Sequence, residues 1–241
     1  MRLPCVILAG GLGTRMRPYT ESFPKALIPV AGIPFADLQL RRLAEAGIDR
    51  VVYCLGYRAS MLMDHVGDGS RLGLHVEYVD EGETLRGTAG ALRHALDEGR
   101  LTDEFHVLYG DSYLTLDFEA VEAAWRSSGF PVQMTVLHNQ GRWDRSNVVF
   151  EDGRVVVYEP DPKRHHEGMD WIDYGLSTLT REVVERQVGA GEVEQLSALW
   201  SRLSSAGELA GFEVGTRFYE VGSAEGLRDL EEHLTRSGPG V

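Results

Sequence analysis

The stretch with the most chemistry in it is Gly10-Gly11-Leu12-Gly13-Thr14-Arg15-Met16-Arg17-Pro18, which follows an apolar run over residues 5–9. Three glycines in four positions let a backbone turn tightly and present amide N–H groups to anionic oxygens. Arg15 and Arg17 follow at once, and Lys25 comes ten residues after Arg15. Residues 1–30 carry Arg2, Arg15, Arg17 and Lys25 against Glu21 alone. Positive charge gathered beside a glycine loop is what a polyphosphate site requires. Two familiar phosphate loops are excluded. The residues do not supply G-x-x-x-x-G-K-[ST], and Met16 stands where a dinucleotide fingerprint needs its third glycine. A plain strand-to-helix turn with surface arginines is the alternative these residues leave open. Lys25 and Lys163 are the only lysines in the chain. A lysine after Pro24 in so arginine-biased a sequence suggests a need for a compact ammonium rather than a planar fork.

Asp111 follows the apolar run 107–109, and ligands of open α/β sheets gather at the carboxyl ends of strands. Mg2+ takes one or two carboxylates plus phosphate oxygens, so Asp111 is a candidate ligand; capping of the next turn is the plainer role. Nothing resembles a nucleophile–His–Asp set. Cys5 and Cys54 sit in apolar runs and read as buried thiols of a reducing compartment. No C-x-x-C pair suggests zinc, and His165-His166, without ligand-spaced partners, reads as a solvated loop.

The net charge of −13 over 241 residues argues against a general nucleic-acid binder. A hydrophobic share of 43% suffices for a globular core. The N-terminal apolar run is too short to span a membrane and feeds a glycine loop rather than a cleavage site. A soluble, cytoplasmic protein is expected, with no nucleic-acid or membrane partner and homodimerisation left open.

The elements that must position these residues alternate. Apolar runs at 5–9, 51–55, 74–79 and 105–109 predict strands, and the spacings at 35–46, 61–66, 89–96 and 118–125 predict helices. That rhythm means right-handed βαβ units and a mainly parallel sheet. Beyond about residue 131 it changes. Strands are expected at 132–138, 147–150 and 155–158, the last two joined at Asp152-Gly153 as a hairpin. A helix is expected at 192–203, a strand at 218–221, and a final helix with Leu227, Leu230 and Leu234 on one face. The expected fold is a single α/β domain, 1–241: a Rossmann-like, mainly parallel (mixed) sheet flanked by helices, with a small antiparallel insertion. Residues 1–130 form the nucleotide-binding part in this reading and 131–241 the sugar-phosphate-binding part and C-terminal helix.

Residues 8–18 with Phe23-Pro24-Lys25, then Pro29-Val30-Ala31-Gly32-Ile33-Pro34, Gly87-Thr88-Ala89-Gly90, Gly110-Asp111 and the segment 219–222, resemble in order and spacing the sugar-1-phosphate nucleotidyltransferases. The resemblance implies attack by a sugar 1-phosphate on the α-phosphorus of a nucleoside triphosphate, with Mg2+ and release of pyrophosphate. It implies that Leu8, Ala9, Gly10, Gly11, Gly13 and Thr14 hold the triphosphate and that Gly87 and Thr88 lie where the base edge is read. Arg15 would neutralise the α/β-phosphates, and Lys25 would bridge the α-phosphate and the incoming sugar phosphate. Asn147, Asp173 and Gly175 would contact the sugar, with Trp171 or Tyr174 stacking on its ring or lying half-buried in a strand. Asp111 and Glu220 would hold the metal.

Two departures stand out. Glu220 replaces the family's usual aspartate, and Pro160 follows Glu159 where many relatives carry a lysine, with Lys163 nearby. No C-terminal β-helix of the kind carried by some relatives is expected. The segments Gly110-Asp111-Ser112-Tyr113 and Ile172-Asp173-Tyr174-Gly175 look most like heptose- or mannose-1-phosphate guanylyltransferases, implying GTP. Uridylyl or thymidylyl transfer to a hexose or amino-sugar phosphate is the rival, a catalytically silent nucleotide-sugar-binding regulator the alternative of another class, and a nicotinamide-dependent enzyme a third.

Overall fold

The computed structural model describes residues 2–17, 19–164 and 167–237, so the His165-His166 pair lies outside the described residues. The chain divides into two compact units: Met1–Leu85 with Tyr109–Leu114 and Phe218–Val241, and Arg86–Leu108 with Thr115–Arg217. After leaving the first unit the chain returns to it twice.

In the first unit, strands Cys5–Leu8, Arg50–Leu55 and His75–Asp80 run parallel, with Cys5 opposite Val51 and Val51 opposite Val76. Cys5–Leu8 is buried throughout and Arg50–Leu55 at all but its first residue, the continuous apolar pattern of parallel strands covered on both faces. Helix Phe35–Glu45 buries Phe35, Leu38, Leu40 and Leu43. It ends as expected at Gly47, where Ile48 N–H returns to Leu43 O. A short antiparallel pair, Ser112–Tyr113 with Tyr219–Glu220, leads into helix Ala224–Ser237. Leu230 of that helix joins Met16, Ile28, Phe35, Tyr113 and Val221 in one apolar cluster, with Leu227 and Leu234 packed against it. Met16 and Ile28 thereby pin the chain just after the glycine loop and just after Lys25.

The second unit corrects the expectation of a small antiparallel insertion. Strand Trp171–Thr180 lies antiparallel to both Glu104–Tyr109 and Val132–His138. Val132–His138 pairs parallel with Leu209–Val214, and Arg154–Tyr158 pairs antiparallel with Leu209–Val214 and with Val148–Glu151. The Asp152-Gly153 hairpin is as expected, with both residues at positive φ. Trp171–Thr180 was legible only at its start: its register shifts between Asp173 and Ser177, where Gly175 takes φ 104°, and two-sided burial removes the alternation that marks a strand. The helix expected at 192–203 runs from Leu196 to Ser205, because residues 194–195 are spent elsewhere, as described below.

Asp37, in the first turn of Phe35–Glu45, is buried, with Oδ1 3.0 Å from His65 Nε2 and accepting from the Arg71 guanidinium. Burial pushes its carboxyl up, but the Arg71 and His65 hydrogen bonds and charges outweigh this and hold it below the usual carboxylate range. Its stabilisation is therefore full above the unfolded value of about 3.9 and lost as pH falls through the lower folded value. Asp37→Asn is expected to cost on the order of 1–3 kcal/mol at pH 7. The gap to wild type should begin to close as pH falls below about 4 and vanish only below the folded value. Urea melts across that range check both statements.

Candidate active site

The glycine loop leaves the carboxyl end of strand Cys5–Leu8 and closes in a 3-10 turn, Thr14–Met16, with Gly13 at φ 60°. A side chain at Gly13 would need that left-handed backbone and would stand 2.9 Å from Thr20 Cγ2. Thr20 Oγ1 donates to Gly13 O at 2.8 Å. Among the described residues, the amides of Gly10, Gly11, Leu12 and Gly13 donate to no group of the chain, and Gly11, Leu12, Thr14, Arg15 and Arg17 are exposed. Arg15 and Arg17 form no ion pair there. Unpaired amides beside two exposed guanidinium groups are an arrangement that can receive an anion.

Lys25 opens the 3-10 turn Lys25–Leu27, and its Nζ donates to Asp111 Oδ2 at 2.5 Å. Asp111 reaches this position through Gly110, whose N–H donates to Leu8 O at 2.9 Å. Both side chains are partly buried, at 17% and 27% exposure, so the pair keeps an open face. The Lys25 side chain also lies against the glycine loop: a Cβ on Gly13 would meet Lys25 Cβ at 3.5 Å. Glu220 pairs with Ser112 in register, and Val221 N–H donates to Asp111 O at 2.8 Å. The first unit therefore assembles the loop, Lys25, Asp111 and the backbone of Glu220. Cys5 and Cys54 are buried, and burial pushes both thiols up, which leaves them unsuited to nucleophilic work.

In the second unit, Gly87 begins helix Gly87–Asp97 at φ 71°, where a Cβ would stand 2.5 Å from Glu194 O. Glu194 O accepts from Ala89 and Gly90 N–H, and Thr88 Oγ1 donates to Gln195 Oε1 while accepting from Leu196 N–H at 2.7 Å. The Thr88 hydroxyl is thus engaged within the chain. Residues 194–195 close this helix end instead of starting their own helix, a role with no sequence signal. Asn147 Oδ1 accepts from Asp173 N–H at 3.1 Å, and Asp173 Oδ1 accepts from Gly175 N–H at 2.9 Å, so the three expected sugar contacts adjoin one another. Tyr174 is fully buried, its hydroxyl 3.3 Å from Thr216 Oγ1, which excludes stacking on a ligand ring. Trp171 packs against His138 and Phe150 at ring-centroid distances of 4.6 and 5.8 Å. Lys163 is exposed on the 3-10 turn Pro162–Arg164.

The nucleotidyl transferase sequence profile matches residues 5–198. The chain belongs to the nucleotidyl transferase family. One family member, mannose-1-phosphate guanylyltransferase of Mycobacterium tuberculosis, is 30% identical over 227 residues, covering 93% of this chain and 62% of that protein. D-glycero-alpha-D-manno-heptose 1-phosphate guanylyltransferase of Campylobacter jejuni is 26% identical over 181 residues, 75% of this chain and 77% of that one. The chain spans about half to two thirds of the length of most of the curated relatives it matches. HddC from Yersinia pseudotuberculosis, solved with GMP-PN, shares the α/β fold at a TM-score of 0.79 and 23% identity, over 96% of this chain and 99% of that one.

Gly110 has no room for a side chain: a Cβ would stand 2.6 Å from Leu8 O and 2.8 Å from Ala9 Cβ. Gly110→Ala is expected to destabilise the protein by about 1–3 kcal/mol. Gly11→Ala, with nothing within 4 Å, should stay within about 0.5 kcal/mol of wild type. Thermal melts of the two variants compare them directly.

Proposed function

We propose that the chain transfers a nucleotidyl group from a nucleoside triphosphate, GTP in the first instance, to a heptose or hexose 1-phosphate, releasing pyrophosphate. The observation that carries this reading is the Lys25 ammonium, fixed on Asp111 and packed beside a loop of unpaired amides. GTP is favoured by the guanylyltransferases among the relatives. The whole chain would act as one catalytic domain, a Rossmann-like 1–130 serving the nucleotide and 131–241 the sugar phosphate, with Glu220 the exception. No described helix is long and apolar enough to cross a membrane, and the cytoplasm is the proposed compartment.

Both reactants are anions, so the barrier lies in bringing them together and in the charge at the α-phosphorus. In this reading the amides of residues 10–13 and the Thr14 hydroxyl hold the triphosphate, and Arg15 takes the α/β-phosphate oxygens. Lys25 holds the α-phosphate oxygen against the incoming sugar phosphate. An oxygen of that phosphate forms the new bond to the α-phosphorus as the bond to the β-phosphate bridging oxygen breaks, and its electron pair leaves with pyrophosphate. The attacking oxygen is already ionised, so no general base is required. That agrees with a loop flanked by cations and two inert cysteines. Asn147 and Asp173 would hydrogen-bond sugar hydroxyls, the Asn147 side-chain amide still having its N–H groups to offer.

Asp111 fits Mg2+, and Glu220 would join it from the facing strand. Among the described residues no three His, Cys, Asp or Glu side chains cluster, which excludes an all-protein cage but not an ion completed by phosphate oxygens. Asp111 uses Oδ2 for Lys25 and leaves Oδ1 free. The Glu220 carboxylate lies over Gly222, where a Cβ would stand 2.7 Å from Oε1. When bound, Mg2+ supplies neutralisation of the phosphate oxygens.

Pyrophosphate release with Mg2+, crossing GTP, UTP, dTTP, ATP and CTP against hexose, amino-sugar and heptose 1-phosphates, tests the proposal. Release with one base and one sugar is expected, falling at least about 100-fold in Lys25→Ala and Asp111→Asn. Nucleotide binding without release on any acceptor would point instead to a silent binder.

A further inference from the structure

A residue pair outside the sequence motifs holds both ends of the glycine loop. Tyr57 and Arg58 follow strand Arg50–Leu55. Tyr57 N–H donates to Gly10 O at 3.2 Å, where the loop begins. Tyr57 Oη donates to Thr20 O at 3.2 Å, and Arg58 Nη2 donates to Glu21 O at 2.7 Å, in the helix just beyond the loop. Arg58 Nε donates to Tyr57 Oη at 2.8 Å, joining the two tethers. Thr20 in turn holds Gly13 O inside the loop. Arg58 achieves this at φ 55°, a left-handed backbone that a residue with a Cβ rarely adopts. The helix it precedes, Ala59–Val66, gains no side-chain cap from it. Strain of this kind persists where the surroundings over-determine it, and it gathers at functional sites.

We infer that Tyr57 and Arg58 are positioning residues that keep the Gly10–Gly13 amides in their anion-binding shape and thereby set the affinity for the triphosphate. The inference rests on the proposed function of the loop. Without the tethers the loop would have to be ordered by the ligand itself, which spends binding energy on lost backbone freedom. Substitution at Arg58 separates this role from a contribution to stability. Glycine relieves the left-handed strain but abolishes both hydrogen bonds, whereas alanine abolishes them and keeps the strain.

The experiment compares wild type, Tyr57→Phe, Arg58→Gly and Arg58→Ala by thermal melting, by amide hydrogen exchange over residues 10–23, and by binding of inorganic tripolyphosphate, a base-independent probe. Arg58→Gly is expected to melt about 2–4 °C above Arg58→Ala. All three variants should exchange faster at Met16 and Arg17, whose amides are hydrogen-bonded across the loop, and bind tripolyphosphate about tenfold more weakly, as when one further residue must be ordered on binding. Loop exchange equal to wild type in Tyr57→Phe and Arg58→Gly, or affinity that follows the melting temperature instead of loop exchange, would overturn the inference while leaving the proposed function standing. Absence of tripolyphosphate binding by the wild type would overturn the function assigned to the loop, and this inference with it.

Discussion

The close approach of Gly110 to Leu8 is the constraint on which the rest of the site depends. A hydrogen bond of 2.9 Å joins Gly110 N–H to Leu8 O, in a space that excludes even a methyl group. The residue after Gly110 and the residues after Leu8 are thereby held side by side: one is Asp111, the others are the glycine loop. Everything that follows is a matter of reach. Lys25 spans from its own turn to Asp111 because Ile28 and Met16 are sunk in the same apolar cluster. Glu220 is carried in by a two-residue ladder whose far end is buried with that cluster. Precision at the charged atoms is thus drawn from apolar packing and one missing side chain, which suits a reaction governed by positioning.

What could be read from the sequence was what has a local signature. The glycine loop, its flanking cations and Asp111 at a strand end are legible because backbone freedom, charge and strand-end placement are properties of a few adjacent residues. The strands Cys5–Leu8 and Arg50–Leu55, and the helix ending at Gly47, follow from apolar runs and one C-terminal glycine. The second unit was harder. Trp171–Thr180 is broken by an irregular register at Gly175, and the partners of a strand are set by distant residues. Tyr174 reads equally as a ring for a sugar or as a half-buried strand residue, and its neighbours bury it completely. The closure of helix Gly87–Asp97 by Glu194 and Gln195 joins residues more than a hundred positions apart, and no periodicity encodes it. Tyr57 and Arg58 left only their place after an apolar run as a signal.

The distribution of charge divides along the same line. Many arginines serve surface pairs such as Arg93–Asp97, Arg126–Glu104 and Arg181–Glu185, each worth little in water. Asp37 and the buried pair of His106 and Glu122 are different: each carboxylate is enclosed and hydrogen-bonded, with His106 Nδ1 2.9 Å from Thr178 Oγ1. Removing one partner from such a set leaves an uncompensated group, so these pairs constrain the scaffold more than they add to its net stability. Arg15 and Arg17 belong to neither class. They stand exposed and without ion pairs among the described residues, in a chain with a carboxylate surplus. What sets them apart from other exposed arginines unpaired among the described residues, such as Arg41 and Arg228, is their place beside the glycine loop, where the proposed function gives them a triphosphate as partner.

Lys25 completes that argument through its choice of side chain. An arginine presents five donors in a plane and is best served by a carboxylate gripping it at two points. Asp111 offers Lys25 a single oxygen, Oδ2. A compact ammonium keeps two further donors in a tetrahedral arrangement, enough to hold an oxygen from each of two phosphates while remaining on Asp111. A guanidinium forced into the same place would turn its plane toward both carboxylate oxygens and close the face of Asp111 that the single Lys25 contact leaves open. Scarcity of lysine in an arginine-rich chain is therefore consistent with the role proposed for this position: to bind the carboxylate on one side, leave its second oxygen open, and meet two anions on the other.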